Sequence, residues 1–157
     1  MVANSTLRLD RFCGYDVYKI DRAEVFVHMP EEGDDEDGIV LNLEFHCNEV
    51  IDITIPEEEG DGSHPPSVQI NIPIPSLSLS TLVGKTISIK DAEDGNFMYV
   101  YEYEDLRDIA VRFLEFTDSA CRISITAKTQ DPNHYDGSKP DTTLTLDAWF
   151  PLDELKH

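Results

Sequence analysis

Apolar and polar residues alternate along most of this chain with a period of two. Val25 and Val27 stand between Glu24, Phe26 and His28. Ile39, Leu41, Leu43 and Phe45 interleave with Asn42, Glu44 and His46, and Ile51, Ile53 and Ile55 with Asp52 and Thr54. The clearest run is Val68, Ile70, Ile72 and Ile74, set against Gln69, Asn71, Pro73 and Pro75. Ile87 with Ile89, then residues 97–103, 109–116, 121–127 and 143–150 continue the pattern. Such alternation places successive side chains on opposite faces of a strand. With Leu7/Leu9 and residues 15–20 added, nine to eleven strands are expected.

Residues 105–115 can also be written as an amphipathic helix capped by Asp105. Val111, Phe113 and Phe116 favour a strand, however, and Thr117-Asp118-Ser119 ends the segment as a turn. Residues 76–83 carry Leu77, Leu79, Leu82 and Val83 ahead of Gly84 and are expected to form one irregular or helical turn. Pro73 and Pro75 remove two backbone donors from one side of their run, which predicts a sheet edge there. Short strands punctuated by Gly, Pro, Asp and Asn predict an all-β fold, an antiparallel β-sandwich or jelly roll, with residues 1–157 as a single domain.

Composition agrees with a folded domain: 40% hydrophobic and 28% charged residues in a chain of 157. The start, Met1-Val2-Ala3-Asn4-Ser5-Thr6, has neither the basic residues nor the apolar stretch of a signal peptide, so a cytoplasmic location is expected. Cys13, Cys47 and Cys121 are odd in number and widely spaced, which signals neither a disulfide framework nor a zinc knuckle.

Charge changes the picture more. Twelve basic residues face 32 acids, a net of −20. No Lys or Arg lies between Arg22 and Lys85, and that interval holds 14 acids, from Glu24 to Asp61. A surface of this sign disfavours nucleic-acid backbone and anionic membrane and suits a basic protein or calcium. The acids gather in two loops, residues 29–38 (MPEEGDDEDG) and 56–67 (PEEEGDGSHPPS). Were the flanking strands a hairpin turning at residues 46–49, both loops would emerge at one end. Asp34, Asp35, Glu36, Asp37, Glu57, Glu58, Glu59 and Asp61 would then form one anionic partner-binding cluster.

Other candidate chemistry is weaker. Aligning Gly38 with the glycine of a calcium loop places Asp35, Asp37 and Glu44 at ligand positions, but the first position is Gly33 and Glu44 falls in a strand. Calcium held between two loops at a sandwich end stays open. His134 lies near Asp131 and Asp136 and could act as a general base, yet Asp-Pro and Asp-Gly mark residues 131–137 as a turn. His46-Cys47 invites a thiol or metal site, but no nearby cation is available to lower a thiol pKa, and all three cysteines are expected to be structural. Phe97, Tyr99, Tyr101 and Tyr103 share one strand face, either a sugar- or peptide-binding platform or, as expected, the core face. Trp149 is expected to plug the core. No catalytic motif appears and no cofactor or metal is assigned.

The reading that absorbs most of this is a small acidic protein that binds a basic protein partner stoichiometrically. Inhibitors and the immunity proteins that mask bacterial toxins act in this way. The alternatives are a calcium- or carbohydrate-binding sandwich module, and an enzyme whose residues assemble across strands. Oligomeric state is left open.

Overall fold

The computed structural model describes residues 5–29, 38–76, 78–93, 95–134 and 136–152. Over these residues the chain is all-β. Its strands are β1 (Thr6–Arg11), β2 (Gly14–His28), β3 (Ile39–Ile53), β4 (Ser67–Ile74), β5 (Thr86–Ile89), β6 (Phe97–Tyr99), β7 (Tyr103–Asp105), β8 (Arg107–Phe116), β9 (Ala120–Thr129) and β10 (Thr142–Pro151). Single 3-10 turns cover Glu57–Glu59 and Leu79–Leu82. The second is the turn expected ahead of Gly84, and residues 107–116 form a strand rather than a helix. Among the described residues, no helix is long and apolar enough to cross a membrane.

The strands form one antiparallel sheet in the order β5-β8-β9-β10-β1-β2-β3-β4-β6-β7. Only Leu106 separates β7 from β8, although eight inter-strand steps lie between them in that order. In a flat sheet those steps of about 4.8 Å would span roughly 38 Å, against about 7 Å for one intervening residue. The sheet must therefore roll until its two ends meet at Leu106. That residue is fully buried, and its N–H donates to the carbonyl of Asn96 at 3.0 Å.

The roll depends on the two longest strands. β2 pairs with β1 over Gly14 to Lys19 and with β3 from Asp16 to His28, with register shifts between Val17 and Arg22. Bulges of this kind bend a strand and re-aim its side chains. Asp16, Tyr18 and Ile20 point inward before the shift, and Ala23, Val25 and Val27 after it. β3 does the same: Leu41, Leu43 and Phe45 face the core, while further along Val50 packs inward and Ile51 is 56% exposed. The expected inward face of Ile51 is thus reversed by one residue of slippage.

β3 runs unbroken through residues 46–49, so the hairpin expected there does not exist. The reason is that His46, Cys47 and Glu49 pair with Arg22, Ile20 and Lys19 of β2, with Asn48 the extra residue of a bulge between them.

One contiguous core joins β1, β2, β3, β4, β8, β9 and β10, with Leu79 and Leu82 of the second 3-10 turn added to it. Truncating wholly buried Phe45 or Phe113 to alanine would cost about 3–5 kcal/mol. Phe150 fills the last strand's place in this core, and Trp149 lies on the opposite face, contrary to the expectation of a tryptophan plug. The edge expected at Pro73 is present. β4 pairs with β3 over residues 67–74 but with β6 only over 67–69. The N–H of Asn71 is turned to the β6 side, where Asn96 Oδ1 accepts it at 2.7 Å. Pro73 has the same parity, so its missing donor faces the open side.

Candidate functional site

The inward face that packs the core ends in charge. Along β1, Leu7 and Leu9 are followed by Arg11. On β2, Asp16 precedes Tyr18 and Ile20, and the inward row of β9 runs through Ala127 and Thr129 to Asp131 just beyond the strand. Strand alternation alone brings these residues to one end of the core. Arg11 donates from Nε and Nη2 to the two carboxylate oxygens of Asp131, at 2.7 and 2.9 Å, and from Nη1 to the carbonyl of Glu59 at 2.9 Å. Both charged side chains are almost wholly buried.

This ion pair fastens two loops. The backbone N–H of Asn133 donates to Asp131 Oδ2 at 3.1 Å, and the carbonyl of Asp131 accepts the N–H of His134. The Glu59 carboxylate lies 2.9 Å from His134 Nε2 and accepts a hydrogen bond from Asn133 Nδ2 at 3.3 Å. Beside them Tyr18 donates to Asp16 Oδ2 at 2.6 Å.

One guanidinium thus serves several carboxylates, and their proton affinities diverge. The hydrogen bond from His134 holds Glu59 below its usual range, and burial pushes Asp16 above it. Glu104, inward-facing on β7, is raised to about 7 by burial and then by the charges of Glu102, Asp105 and Asp131. Groups perturbed this far often mark active sites. Here the adjoining space is small. The cavity lined by Arg11, Asp16, Tyr18, Glu59 and Tyr101 measures about 20 Å³, the size of one water, whereas small-molecule sites occupy roughly 300–1,000 Å³.

No family model, curated protein or solved structure matches this chain. The site's chemistry therefore has to be read from its own residues.

Glu59, Asp131 and His134 have ligand atoms close enough together to hold a metal ion. Arg11 already supplies the cation there, with both Asp131 oxygens engaged and Glu59 Oε2 3.6 Å from Nη2. A metal would have to displace a buried, four-times-anchored guanidinium, so the group is a structural lock. The pairing foreseen for His134 with Asp131 and Asp136 as a base is replaced by its contact with Glu59.

Of the eight acids foreseen as one cluster, Asp34, Asp35, Glu36 and Asp37 lie outside the described residues. The second set, Glu57, Glu58, Glu59 and Asp61, follows the end of β3. Within the second set Glu57, Glu58 and Asp61 are exposed, while Glu59 is turned inward to the lock. Of the calcium-loop positions, Glu44 sits within β3 and Asp35 and Asp37 are outside the described residues.

Beside the exposed acids lies a surface assigned above to the core. Met98 and Glu104 are the inward residues of the β6–β7 hairpin, and Tyr99, Tyr101 and Tyr103 are exposed, Tyr103 by 71%. The opposite face carries Glu102 and Glu104 beside Met98 and Val100, so the pattern pointed to the tyrosine side as the buried one. Pairing of Met98 with buried Val68 decides the matter. Tyr103 packs at 4.9 Å from Phe97 and 4.8 Å from Tyr99, and Tyr101 stacks 4.7 Å from His64 of the acidic loop. The tyrosine hairpin and the acidic loop are therefore one surface. Sequence reading noticed both halves and missed that they adjoin.

Proposed function

We propose that the protein binds a basic protein partner stoichiometrically, as an inhibitor or immunity-type protein, through the surface shared by Tyr99, Tyr101 and Tyr103 with Glu57, Glu58 and Asp61. The observation that carries this reading is the packing of exposed Tyr101, from the tyrosine hairpin, against His64 of the acidic loop. Tyrosines are over-represented among the residues that dominate interface energetics, because they bury a large ring and keep a hydroxyl for hydrogen bonding. They also accept Arg and Lys against the ring face. Carboxylates at the rim steer a cationic protein towards them.

The lock beneath supports the same reading. Arg11 ties the 57–61 loop to Asp131, so the backbone that carries the acids is held in place before a partner arrives, which lowers the ordering cost of association. A carbohydrate platform is less well served. Tyr103 meets Phe97 at 86° and Tyr99 at 54°, so the rings do not form a flat stacking floor. The acids at 34–37 remain a second source of long-range attraction.

The test is a kinetic one. The immobilised full chain is used to capture a partner from lysate, the partner is identified by mass spectrometry, and purified complexes are studied by surface plasmon resonance across salt concentrations. The triple change E57Q/E58Q/D61N should slow association several-fold at low salt, and Tyr103→Ala should mainly speed dissociation. A partner that is not basic, or equal binding by both variants and the wild type, refutes the proposal. Comparing D34N/D35N/E36Q/D37N with the first triple change assigns the steering to one acidic segment or the other.

A further inference from the structure

On the same outer face of the sheet as the tyrosines and two strands from Tyr99, the β2–β3 pair brings together three side chains that no contact described so far explains. Glu24 and Glu44 are directly opposite each other in register, and His46 lies two residues beyond Glu44 on the same face of β3. Like charges placed opposite one another across an antiparallel pair destabilise it. One carboxylate oxygen from each glutamate and a ring nitrogen of His46 all lie within 4.8 Å of one another. His46 Nδ1 is 3.3 Å from Ser67 Oγ on β4, while Nε2 is buried and makes no hydrogen bond to the described residues.

We propose that Glu24, Glu44 and His46 form a zinc site on the outer face of β2–β3. The ligand set is right for a borderline ion: one imidazole and two carboxylates, with a fourth position open to solvent. Bringing the three atoms to the roughly 3.3 Å separations of a zinc tetrahedron needs side-chain rotation only, because β2 and β3 are paired through this stretch. Ser67 plays the outer partner that metal-bound histidines normally have, fixing the ring and leaving Nε2 to the ion. Gln69, opposite Glu44 on β4, donates to the carbonyl of Gly95 at 3.0 Å and so does not compete for that carboxylate.

One cation is already close. Arg22 Nε lies 3.5 Å from Glu24 Oε1, and Arg22 is opposite His46 in register. Unlike Arg11 it is solvent-exposed and makes a single long contact, so it can turn into water when an ion arrives. This contrast separates the two clusters: the Arg11 cluster is closed by its own guanidinium, and the β2–β3 cluster is open. Calcium fits poorly, since it prefers six to eight oxygen ligands and gains nothing from an imidazole.

The probe is zinc chloride, titrated by calorimetry into the tag-free, metal-free full chain, with thermal unfolding followed in parallel. One zinc per chain should bind saturably and raise the melting temperature by a few degrees, with calcium at the same concentration leaving it unchanged. His46→Gln and Glu44→Gln should each weaken zinc binding at least tenfold, and Glu24→Gln, on the neighbouring strand, should do so independently of any effect on β3. His28→Gln, which removes an exposed imidazole elsewhere on β2, should not alter affinity. Melting curves without zinc confirm that each variant is folded. Absence of saturable binding, wild-type affinity in His46→Gln and Glu24→Gln, an equal loss in His28→Gln, or a calcium response equal to that of zinc would each overturn the assignment.

Discussion

Glu104 offers the sharpest test of how charge is arranged inside this protein. Its side chain points inward from β7, its residue exposure is 6%, and its carboxyl is raised from 4.5 to about 7. A carboxyl with a folded pKa above its unfolded one binds its proton more tightly in the native state. Its contribution to stability therefore falls as pH rises from about 4.5, and the penalty is complete above about 7. At about 1.36 kcal/mol per pH unit that gap is worth at most about 3.4 kcal/mol. Part of the rise comes from Glu102 and Asp105, which are exposed and screened by solvent, so about 2 kcal/mol is the working figure. Glu104→Gln keeps the shape and removes the charge. At pH 8 the variant should be more stable than wild type by about 2 kcal/mol, a rise in Tm of roughly 4–8 °C for a domain this size. At pH 4.5 the two should melt together. Repulsion from the net charge also weakens the fold as pH rises, but it is common to both proteins and drops out of their difference. Thermal and urea unfolding at half-unit pH steps would measure that difference directly. A gap that does not change with pH, or a variant less stable at pH 8, would refute the account of Glu104 as a desolvated carboxyl.

Two further outcomes follow from the buried groups. Arg11→Met or Asp131→Leu alone leaves an unpaired charge in the core end and should cost about 3–5 kcal/mol in urea unfolding, while the double variant should recover much of that loss; equal losses in all three would mean the lock contributes packing rather than charge pairing. Burial pushes the Cys47 and Cys121 thiols up to about 12 and also raises Cys13, so native protein at pH 8 should alkylate at Cys47 and Cys121 about a hundredfold or more below the rate of a free thiol, with intact mass showing three labels after denaturation and only fewer labels there counting against free cysteines.

Period-two alternation was enough to read the fold class, because one buried face forces that period on each strand. The proline edge was equally legible, since a missing donor is a property of the residue itself. What alternation could not show is where it changes phase. Residues 15–20 and 24–28 looked like separate strands because Tyr18 and Val25 have opposite parity, yet a shift near Asp21 joins them in β2. The same shift in β3 made residues 46–49 resemble a turn. A bulge and a turn both interrupt alternation, and only pairing with a neighbouring strand distinguishes them. That single confusion supplied a hairpin that β3 does not contain.

Charge was legible in amount and misleading in position. The interval without Lys or Arg is real along the chain, but β2 lies beside β3 and lends it cations: Lys19 reaches Glu49 at 3.9 Å, and Arg22 approaches Glu24. The acids of β3 are partly answered from the neighbouring strand, Glu49 by Lys19, while Glu44 faces Glu24. The most deeply buried pair, Arg11 with Asp131, spans 120 residues and has no local signature, because each side chain is merely the last inward position of its own strand. An arginine at an inward position next to Leu7 and Leu9 was the available signal. Burying a guanidinium there requires a carboxylate on the strand or loop that closes the same end of the core. Once the sheet is rolled through Leu106, the inward rows of β1, β2, β7 and β9 converge on that end. The same convergence makes Glu104 resist ionisation and fixes the acidic loop beneath the tyrosines. The buried charge and the proposed binding face therefore have one structural cause.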